Sequence, residues 1–72
     1  MKQIEITTEP VELYKILKFE GLVDSGGEAK AVIDAGQVSL NGEMETRKRK
    51  KIVAGDVLEY KNEKFQIILN DR

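Results

Sequence analysis

The chain has 72 residues, with 12 basic and 13 acidic side chains and a formal net charge of -1. A chain of this length forms one small domain that buries about 60% of its extended surface. It contains no cysteine and no histidine, which excludes a disulfide framework and the usual zinc ligands. The same absence removes the commonest general base and the thiolate nucleophile. We expect a single domain over residues 1–72 that needs no metal or other cofactor.

The hydropathy pattern indicates neither a secretory signal nor a membrane span. The opening residues, MKQIEITTEPVEL, lack the uninterrupted apolar stretch of a signal peptide. No apolar run approaches the roughly 20 residues that cross a bilayer. The pattern therefore predicts a cytoplasmic protein without a membrane partner. We also expect a monomer that takes no small-molecule substrate.

The first part of the chain indicates a strand and then a helix. Ile4 and Ile6 alternate with polar residues, which is typical of a short strand. Pro10 suits the first turn of a helix, with Thr8 or Glu9 as its cap. Apolar residues then recur at helical spacing and are followed by a glycine that stops the helix. These helix positions are Leu13, Tyr14, Ile16 and Leu17.

The second helix has a well-marked start. Ser25 and Glu28 have the spacing of a capping box, in which each side chain accepts a backbone N–H. Gly36 marks the end of this helix. The apolar stripe between these limits consists of Ala29, Val32 and Ile33.

A hairpin is predicted after the second helix, with the Asn-Gly pair at 41–42 as its turn. A two-residue turn would place Leu40 opposite Glu43. A three-residue loop with the glycine in the left-handed conformation instead pairs Val38 with Met44. We favour this second register, because it pairs two apolar side chains.

Two more strands complete the pattern, at residues 57–60 and 64–70, after turns at 54–56 and 61–63. One face of the last strand carries Phe65, Ile67 and Leu69. The element order is β-α-α-β-β-β-β. It predicts an α+β fold in which two short helices pack on a small, mostly antiparallel sheet with a β-hairpin.

Five consecutive basic residues concentrate the positive charge, namely Arg47, Lys48, Arg49, Lys50 and Lys51. In an extended chain alternate residues face opposite ways, so neither side of this run could be buried. A solvated strand edge would account for an isolated lysine. Adjacent charges repel one another, however, and the planar guanidinium groups of the two arginines suit phosphate oxygens. We interpret the run as an exposed ribbon or loop that binds polyanions, with Arg47, Arg49 and Lys51 on one face if the chain is extended there.

The start of the second helix is another candidate anion site. A helix N-terminus carries free N–H groups and a partial positive charge, and Gly26 and Gly27 leave room for a phosphate. Ser25 and Glu28 can themselves accept those N–H groups, and Glu28 would repel a phosphate. The pattern therefore fits a purely structural cap slightly better.

Three lysines outside the basic run could extend a positive surface. Lys15 and Lys18 are three residues apart and are expected on one solvent-facing side of the first helix. Lys30 is expected to be exposed one turn into the second helix. Tyr14 and Tyr60 could stack on bases, but core positions are favoured for aromatic residues in so small a domain.

Catalysis has little support in the sequence. The carboxylate pairs Glu43/Glu45 and Asp24/Glu28 fall in turns or caps, where no apolar pocket would raise a pKa. No phosphate-cradling glycine loop with a lysine follows a strand. We predict that the chain is not an enzyme.

A longer pattern runs through residues 13–60, SxxEAKxxIxxGxVxxNG followed by VxGD. Its positions here are Leu17, Lys18, Ser25, Glu28, Ala29, Lys30, Ile33, Gly36, Val38, Asn41, Gly42, Val53, Gly55 and Asp56. The pattern resembles the S4-type RNA-binding domain, also called the alpha-L motif. In its length the chain resembles the small stand-alone bacterial members of that family, the YbcJ-like proteins.

The resemblance implies that the two helices and the following hairpin present one surface to structured RNA, with the basic run beside the second helix. Two positions differ from many relatives. Gly26 stands where an arginine usually follows the cap serine, and the stretch Glu12, Leu13, Tyr14 stands in place of arginine-leucine-aspartate. Two expected RNA contacts are therefore missing. Either the basic run holds most of the RNA, or binding is weaker or directed at another partner.

We expect a cytoplasmic, non-catalytic protein that recognises structured RNA, ribosomal or transfer RNA, by shape and phosphate contact. The candidate RNA-binding residues are Arg47, Lys48, Arg49, Lys50, Lys51, Lys30, Lys18, Lys15, Ser25, Gly26 and Gly27. Two other functions stay open. The chain could be a protein-interaction module whose basic run docks an acidic partner surface, or it could bind DNA.

Overall fold

A computed structural model of the protein describes residues 1–70 and contains two helices and seven strands within them. The helices are α1 (Leu13–Phe19) and α2 (Gly26–Asp34). The strands are β1 (Lys2–Ile6), β2 (Val11–Glu12), β3 (Val38–Leu40), β4 (Glu43–Met44), β5 (Lys51–Ile52), β6 (Val57–Tyr60) and β7 (Glu63–Leu69). The predicted α+β class is confirmed, and the predicted order gains the two-residue strands β2 and β5.

Five of the strands form one sheet in the order β1-β7-β6-β3-β4, while β2 pairs separately with β5. Strand β1 runs parallel to β7, with Ile4 opposite Ile67. The remaining neighbours are antiparallel, so the prediction of a mostly antiparallel sheet is confirmed. Because side chains alternate along a strand, one face of the sheet can pack against the helices.

The hydrophobic core lies between this sheet and the two helices. Its largest fully buried side chains are Leu13, Leu17, Ile33, Ile52, Leu58, Ile67 and Val38. Phe65 is buried as predicted, whereas Leu69 on the same face of β7 is 40% exposed. Tyr60 belongs to the core, but Tyr14 is only half buried at its margin. Each fully buried aliphatic side chain contributes about 1.5–3 kcal/mol of hydrophobic free energy.

The hairpin between β3 and β4 has the register that the sequence analysis rejected. Leu40 pairs with Glu43 across a two-residue turn. Both turn residues have positive φ, 53° at Asn41 and 86° at Gly42. This is the combination that a type I′ turn requires and that Asn-Gly favours. The predicted three-residue loop is therefore wrong.

Two contacts explain this register. The predicted three-residue loop would have paired Met44 with Val38. Instead, Met44 is 67% exposed and lies against Gly36, where a Cβ atom added to the glycine would be 2.9 Å from the Met44 sulfur. The Asn41 side chain accepts the N–H of Val57 at 2.8 Å and donates to Asp56 at 3.1 Å. Asn41 in the hairpin turn is thus bonded to Val57, the first residue of β6. This hydrogen bond, rather than the pairing of Val38 with Met44, accompanies the observed register.

Helix α1 begins later than the sequence pattern predicts. Its first residue is Leu13, and Glu12 occupies the N-cap position in an extended conformation without a side-chain cap bond. Pro10 precedes the helix instead of opening it, and neither Thr8 nor Glu9 caps it. The Glu9 carboxylate accepts a backbone N–H from the turn before β6. The residues just before the helix pair with β5, which holds them extended.

The polar groups of the described residues are well satisfied. Every buried side-chain nitrogen or oxygen within residues 1–70 has a hydrogen-bond partner. In the same residues no helix has both the length and the apolarity to cross a bilayer. No group of three or more acidic side chains among them is arranged to hold a metal ion.

Candidate nucleic-acid interface

The five basic residues at 47–51, here called the basic loop, form a turn that leads into β5. The Lys50 N–H donates to the Arg47 carbonyl at 3.1 Å, and only Lys51 lies in a strand. The sequence predicted an exposed ribbon or loop, and the structure forms the loop, so the alternation between two faces that an extended ribbon would have does not run through residues 47–50. The cause is anchoring at both ends, because β5 pairs with β2 and an acidic residue holds the start of the loop.

The basic loop caps the start of α1 through its backbone. The Leu13 N–H donates to the Lys50 carbonyl at 2.9 Å, and the Tyr14 N–H donates to the Lys48 carbonyl at 3.1 Å. These bonds satisfy two of the N–H groups that every helix start leaves free. The loop is thus fixed to the first helix, whereas the family resemblance implied a position beside the second.

Glu45 holds Arg47 at the entrance of the basic loop. The Arg47 Nε and Nη2 atoms donate to the two carboxylate oxygens at 2.9 and 3.0 Å, and its backbone N–H donates at 2.9 Å. Glu45 is only 8% exposed. The side-chain hydrogen bonds from Arg47 lower the pKa of Glu45 from 4.5 to about 2. They also raise the pKa of Arg47, whose charge is therefore largely committed to this pair.

Three cations surround the ring of Tyr14. The distance to the ring centroid is 4.7 Å from the Lys30 ammonium, 5.6 Å from the Arg49 guanidinium carbon and 5.9 Å from the Lys15 ammonium. These distances are within the range of cation–π attraction. Because the cations come from α2, the basic loop and α1, the ring connects three elements. We call these four residues the Tyr14 cluster.

Glu12 supplies the acidic partner of this cluster. Its Oε1 atom lies 3.3 Å from the Lys15 Nζ, and its Oε2 atom lies 3.3 Å from the Arg49 Nη1. Burial raises the pKa of Glu12, but the hydrogen bonds from Lys15 and Arg49 outweigh burial and lower that pKa. Glu12 thus stays ionised between two cations.

Of the three lysines predicted outside the basic run, Lys18 is exposed as expected, whereas Lys15 and Lys30 are half buried. Lys18 is exposed and lies against α2, where a Cβ atom on Gly26 would be 3.8 Å from its Cδ. Lys15 does not share that solvent-facing side, because it is half buried and lines a groove beside β1. Lys30, predicted to be exposed, is half buried beside Tyr14.

The start of α2 has the predicted capping box. The Ser25 hydroxyl accepts the Glu28 N–H at 3.1 Å, and the Glu28 carboxylate accepts the Asp24 N–H at 2.7 Å. The N–H groups of Gly26 and Gly27 have no hydrogen-bond partner within residues 1–70. The box therefore satisfies part of the helix start and leaves two donors free.

The cations of this surface divide into two sets. Those with an acidic partner are Arg47, Arg49 and Lys15. Those without an ion pair to the described part of the chain are Lys18, Lys30, Lys48, Lys50 and Lys51. The pairing leaves lysines, rather than arginines, as the uncompensated charges.

Glu12 and Glu45 shape this surface but were not predicted to take part in it. Glu12 and Lys15 have a helical i,i+3 spacing, and Glu45 stands two residues before Arg47, so both pairs had a local signal. The Arg49 bond to Glu12 spans 37 residues and had none. Tyr14 was considered only as a core or base-stacking residue.

The fold and the site define a class of protein: a small α+β domain in which two helices and a basic loop form one cationic surface. The S4 domain family matches residues 4–68 of the chain. The chain belongs to the S4 domain family, which confirms the resemblance seen in the sequence. The S4 domain family is a non-catalytic fold, which agrees with the prediction that the chain is not an enzyme.

Three relatives illustrate the range of the family. YbcJ of Escherichia coli (strain K12) is 47% identical over 58 residues, which cover 81% of this chain and 83% of YbcJ. RlbA of Bacillus subtilis (strain 168), named a probable ribosome maturation protein, is 35% identical over 66 residues, covering 90% of this chain and 93% of RlbA. The 30S ribosomal protein S4e from Thermoplasma acidophilum has a TM-score of 0.73 at 26% identity, covering 89% of this chain and 34% of that chain.

The solution structure of E. coli YbcJ is also similar to the fold of this chain. The TM-score is 0.70 at 40% identity, covering 94% of this chain and 87% of that chain. That structure is described as revealing an alpha-L motif involved in RNA binding. The similarity confirms the arrangement of two helices on a mostly antiparallel sheet.

Proposed function

We propose that this chain binds structured RNA through the surface formed by the basic loop, the Tyr14 cluster and the start of α2. The observation that carries the proposal is the pair of backbone bonds that fix the loop carbonyls to α1. Because the backbone is held, the lysine side chains of the loop stay available beside cations of both helices. The RNA-binding description of YbcJ supports the same function.

The lysines without an acidic partner are proposed to make most of the phosphate contacts. In the basic loop these are Lys48, Lys50 and Lys51, and on the helices they are Lys18 and Lys30. Arg47, Arg49 and Lys15 contribute less, because a phosphate must share each of them with a carboxylate. Ser25, Gly26 and Gly27 are secondary, with the free N–H groups of the two glycines as donors.

Ribosomal RNA is the proposed ligand class. RlbA is named for ribosome maturation and S4e is a ribosomal protein, which favours ribosomal RNA over transfer RNA. Recognition would depend on helix shape and phosphate positions, with little base readout. We propose that the chain acts as a monomer in the cytoplasm, where ribosomal RNA is assembled into ribosomes.

A salt titration with ribosomal RNA fragments tests the proposal. Each phosphate neutralised on a duplex contributes about -0.9 to the slope of log affinity against log salt. Replacing Lys48, Lys50 and Lys51 by Gln should therefore flatten the slope by about 2 to 3. The three replacements should change the free energy of unfolding only slightly, since exposed charges contribute little to folding.

The matched control replaces three lysines outside the proposed surface, Lys2, Lys61 and Lys64, by Gln. It removes the same charge and should leave the slope almost unchanged. Equal flattening in both triple variants would mean that the RNA responds only to net charge. An RNA that fails to shift with the purified wild type would favour the protein-interaction function. Loss of binding under an excess of duplex DNA would favour DNA as ligand.

A further inference from the structure

Glu12 is an anion built into the cationic surface. Each of its carboxylate oxygens lies 3.3 Å from a different cation, Lys15 on one side and Arg49 on the other. The Glu12 side chain is 26% exposed, whereas Lys15 is 44% and Arg49 63% exposed. The carboxylate therefore lies beneath the two cations and is still in contact with solvent.

A phosphate group that approaches Arg49 or Lys15 competes with Glu12 for these two cations, because it is negatively charged like the carboxylate. Carboxylate and phosphate oxygens both accept hydrogen bonds from ammonium and guanidinium groups. The phosphate must therefore either share the cations with Glu12 or displace it. In both cases the negative charge of Glu12 opposes the incoming negative charge.

We propose that Glu12 is a specificity-determining residue that competes internally with nucleic-acid phosphates and weakens the binding of polyanions with unsuitable geometry. The inference depends on the proposed function, because it concerns the same surface. A ligand whose phosphates also reach Lys30 and the lysines of the basic loop offsets the repulsion at Glu12. A ligand that reaches only Lys15 and Arg49 does not. Specificity of this kind comes from a repulsive group placed among attractive ones.

Glu12→Gln tests the proposal because it removes the charge and keeps the size of the side chain. The probes are a ribosomal RNA fragment and a DNA duplex with the same number of phosphates. We expect DNA affinity to rise about tenfold and RNA affinity to rise less, because one like-charge repulsion is removed. The RNA-to-DNA affinity ratio should fall. The salt slope for DNA should steepen by about 1 to 2, as Lys15 and Arg49 become free to neutralise phosphates.

The control is Glu63→Gln. It removes another carboxylate that is paired with a lysine, Lys2, at the start of the β1–β7 pairing. It changes the net charge equally and should alter neither the ratio nor the slope. A second measurement uses Glu12→Gln in a chain that also carries Lys15→Gln and Arg49→Gln. There the gain in DNA affinity should shrink to less than about twofold, since the cations that Glu12 neutralised are absent.

Three results would overturn the inference while leaving the proposed function intact. One is that Glu12→Gln has the same RNA affinity and the same DNA affinity as the wild type. Another is that Glu12→Gln weakens both ligands, which would make Glu12 a residue that only orients the cations. The third is an equal gain in Glu63→Gln. Thermal unfolding of each variant identifies any effect that comes from loss of the fold. A wild type that binds no RNA would instead contradict the proposed function itself.

Discussion

The two helices of this domain begin in different ways. At the start of α2, Ser25 and Glu28 satisfy backbone donors within a span of a few residues. At the start of α1 no side chain caps the helix, and the carbonyls of Lys48 and Lys50 take the donors instead. One start is thus determined locally and the other by a distant part of the chain.

This difference shows how the basic loop can have two roles at once. Its backbone caps α1, while most of its side chains are exposed to solvent. A mutation of a loop side chain can therefore change ligand binding without removing the cap of α1. Conversely, a mutation that displaces the loop backbone should weaken both the helix and the binding surface.

Ile52→Ala should break the long-range start and have the largest effect. Ile52 is fully buried in β5 directly after the basic loop and pairs with Val11 of β2. Removing a buried aliphatic side chain should cost about 3 kcal/mol of unfolding free energy, and faster amide exchange at Leu13 should accompany it. Urea denaturation and hydrogen exchange measure the two effects.

The control is the neighbouring residue Val53, which is 41% exposed, so Val53→Ala should cost less than about 0.5 kcal/mol of unfolding free energy. Similar costs for both would mean that β5 does not anchor the loop.

Tyr14→Leu should weaken the side-chain contacts that join the loop to both helices. The ring has three cations within 6 Å, and the loss of their attraction should lower the unfolding free energy by about 1–2 kcal/mol. Tyr14→Phe keeps the ring and should lose less than about 0.5 kcal/mol. Chemical denaturation of both variants gives the comparison. An equal loss in the Phe variant would assign the effect to the hydroxyl group rather than to the ring.

Ser25→Ala should break the local start of α2 at a smaller cost. Its hydroxyl accepts the Glu28 N–H at 3.1 Å, and loss of such a cap costs about 1 kcal/mol. Ser25→Thr keeps the hydroxyl and should recover most of the stability. Thermal unfolding of the three proteins tests the prediction. An alanine variant as stable as the wild type would show that Glu28 alone maintains this start.

The Glu45 and Arg47 pair should make the basic loop sensitive to acid. The pKa of Glu45 is lowered in the folded protein, from 4.5 to about 2, so its stabilising contribution is complete above pH 4.5. That contribution should be lost as the pH falls from 4.5 towards 2. We expect less than about 1 kcal/mol, because Arg47 is 69% exposed and solvent screens the pair. The difference in unfolding free energy between wild type and Glu45→Gln, followed over this range, measures it. A difference that does not vary with pH would contradict the prediction.

The comparison of helix starts also explains what the sequence could predict. The end of α1 and both ends of α2 depend on residues a few positions apart, so spacing alone identified them. The start of α1 depends on carbonyls more than thirty positions away, and no local pattern encodes them. The prediction therefore placed Pro10 inside the helix, although the chain is still extended there.

Other errors came from weighing side-chain pattern above turn chemistry. The hairpin register followed the apolar pair Val38 and Met44, but Asn41 hydrogen-bonds across to the strand after the next turn. The sequence left the basic run as either a ribbon or a loop, because its charges cannot reveal a turn whose ends are anchored elsewhere. For the proposed binding surface, the sequence showed where the cations are concentrated. It could not show which of them carboxylates already neutralise.

The parallel pairing of β1 with β7 has a consequence for synthesis of the chain. Lys2 pairs with Phe65 and Ile6 with Leu69, so β1 pairs with a strand that is synthesised 63 residues later. On the ribosome, β1 has to wait for almost the whole chain to emerge before its partner exists. The two helices and the hairpin can associate earlier, since their contacts are closer in sequence. Closing this long-range pair is therefore expected to be a late and slow step of folding.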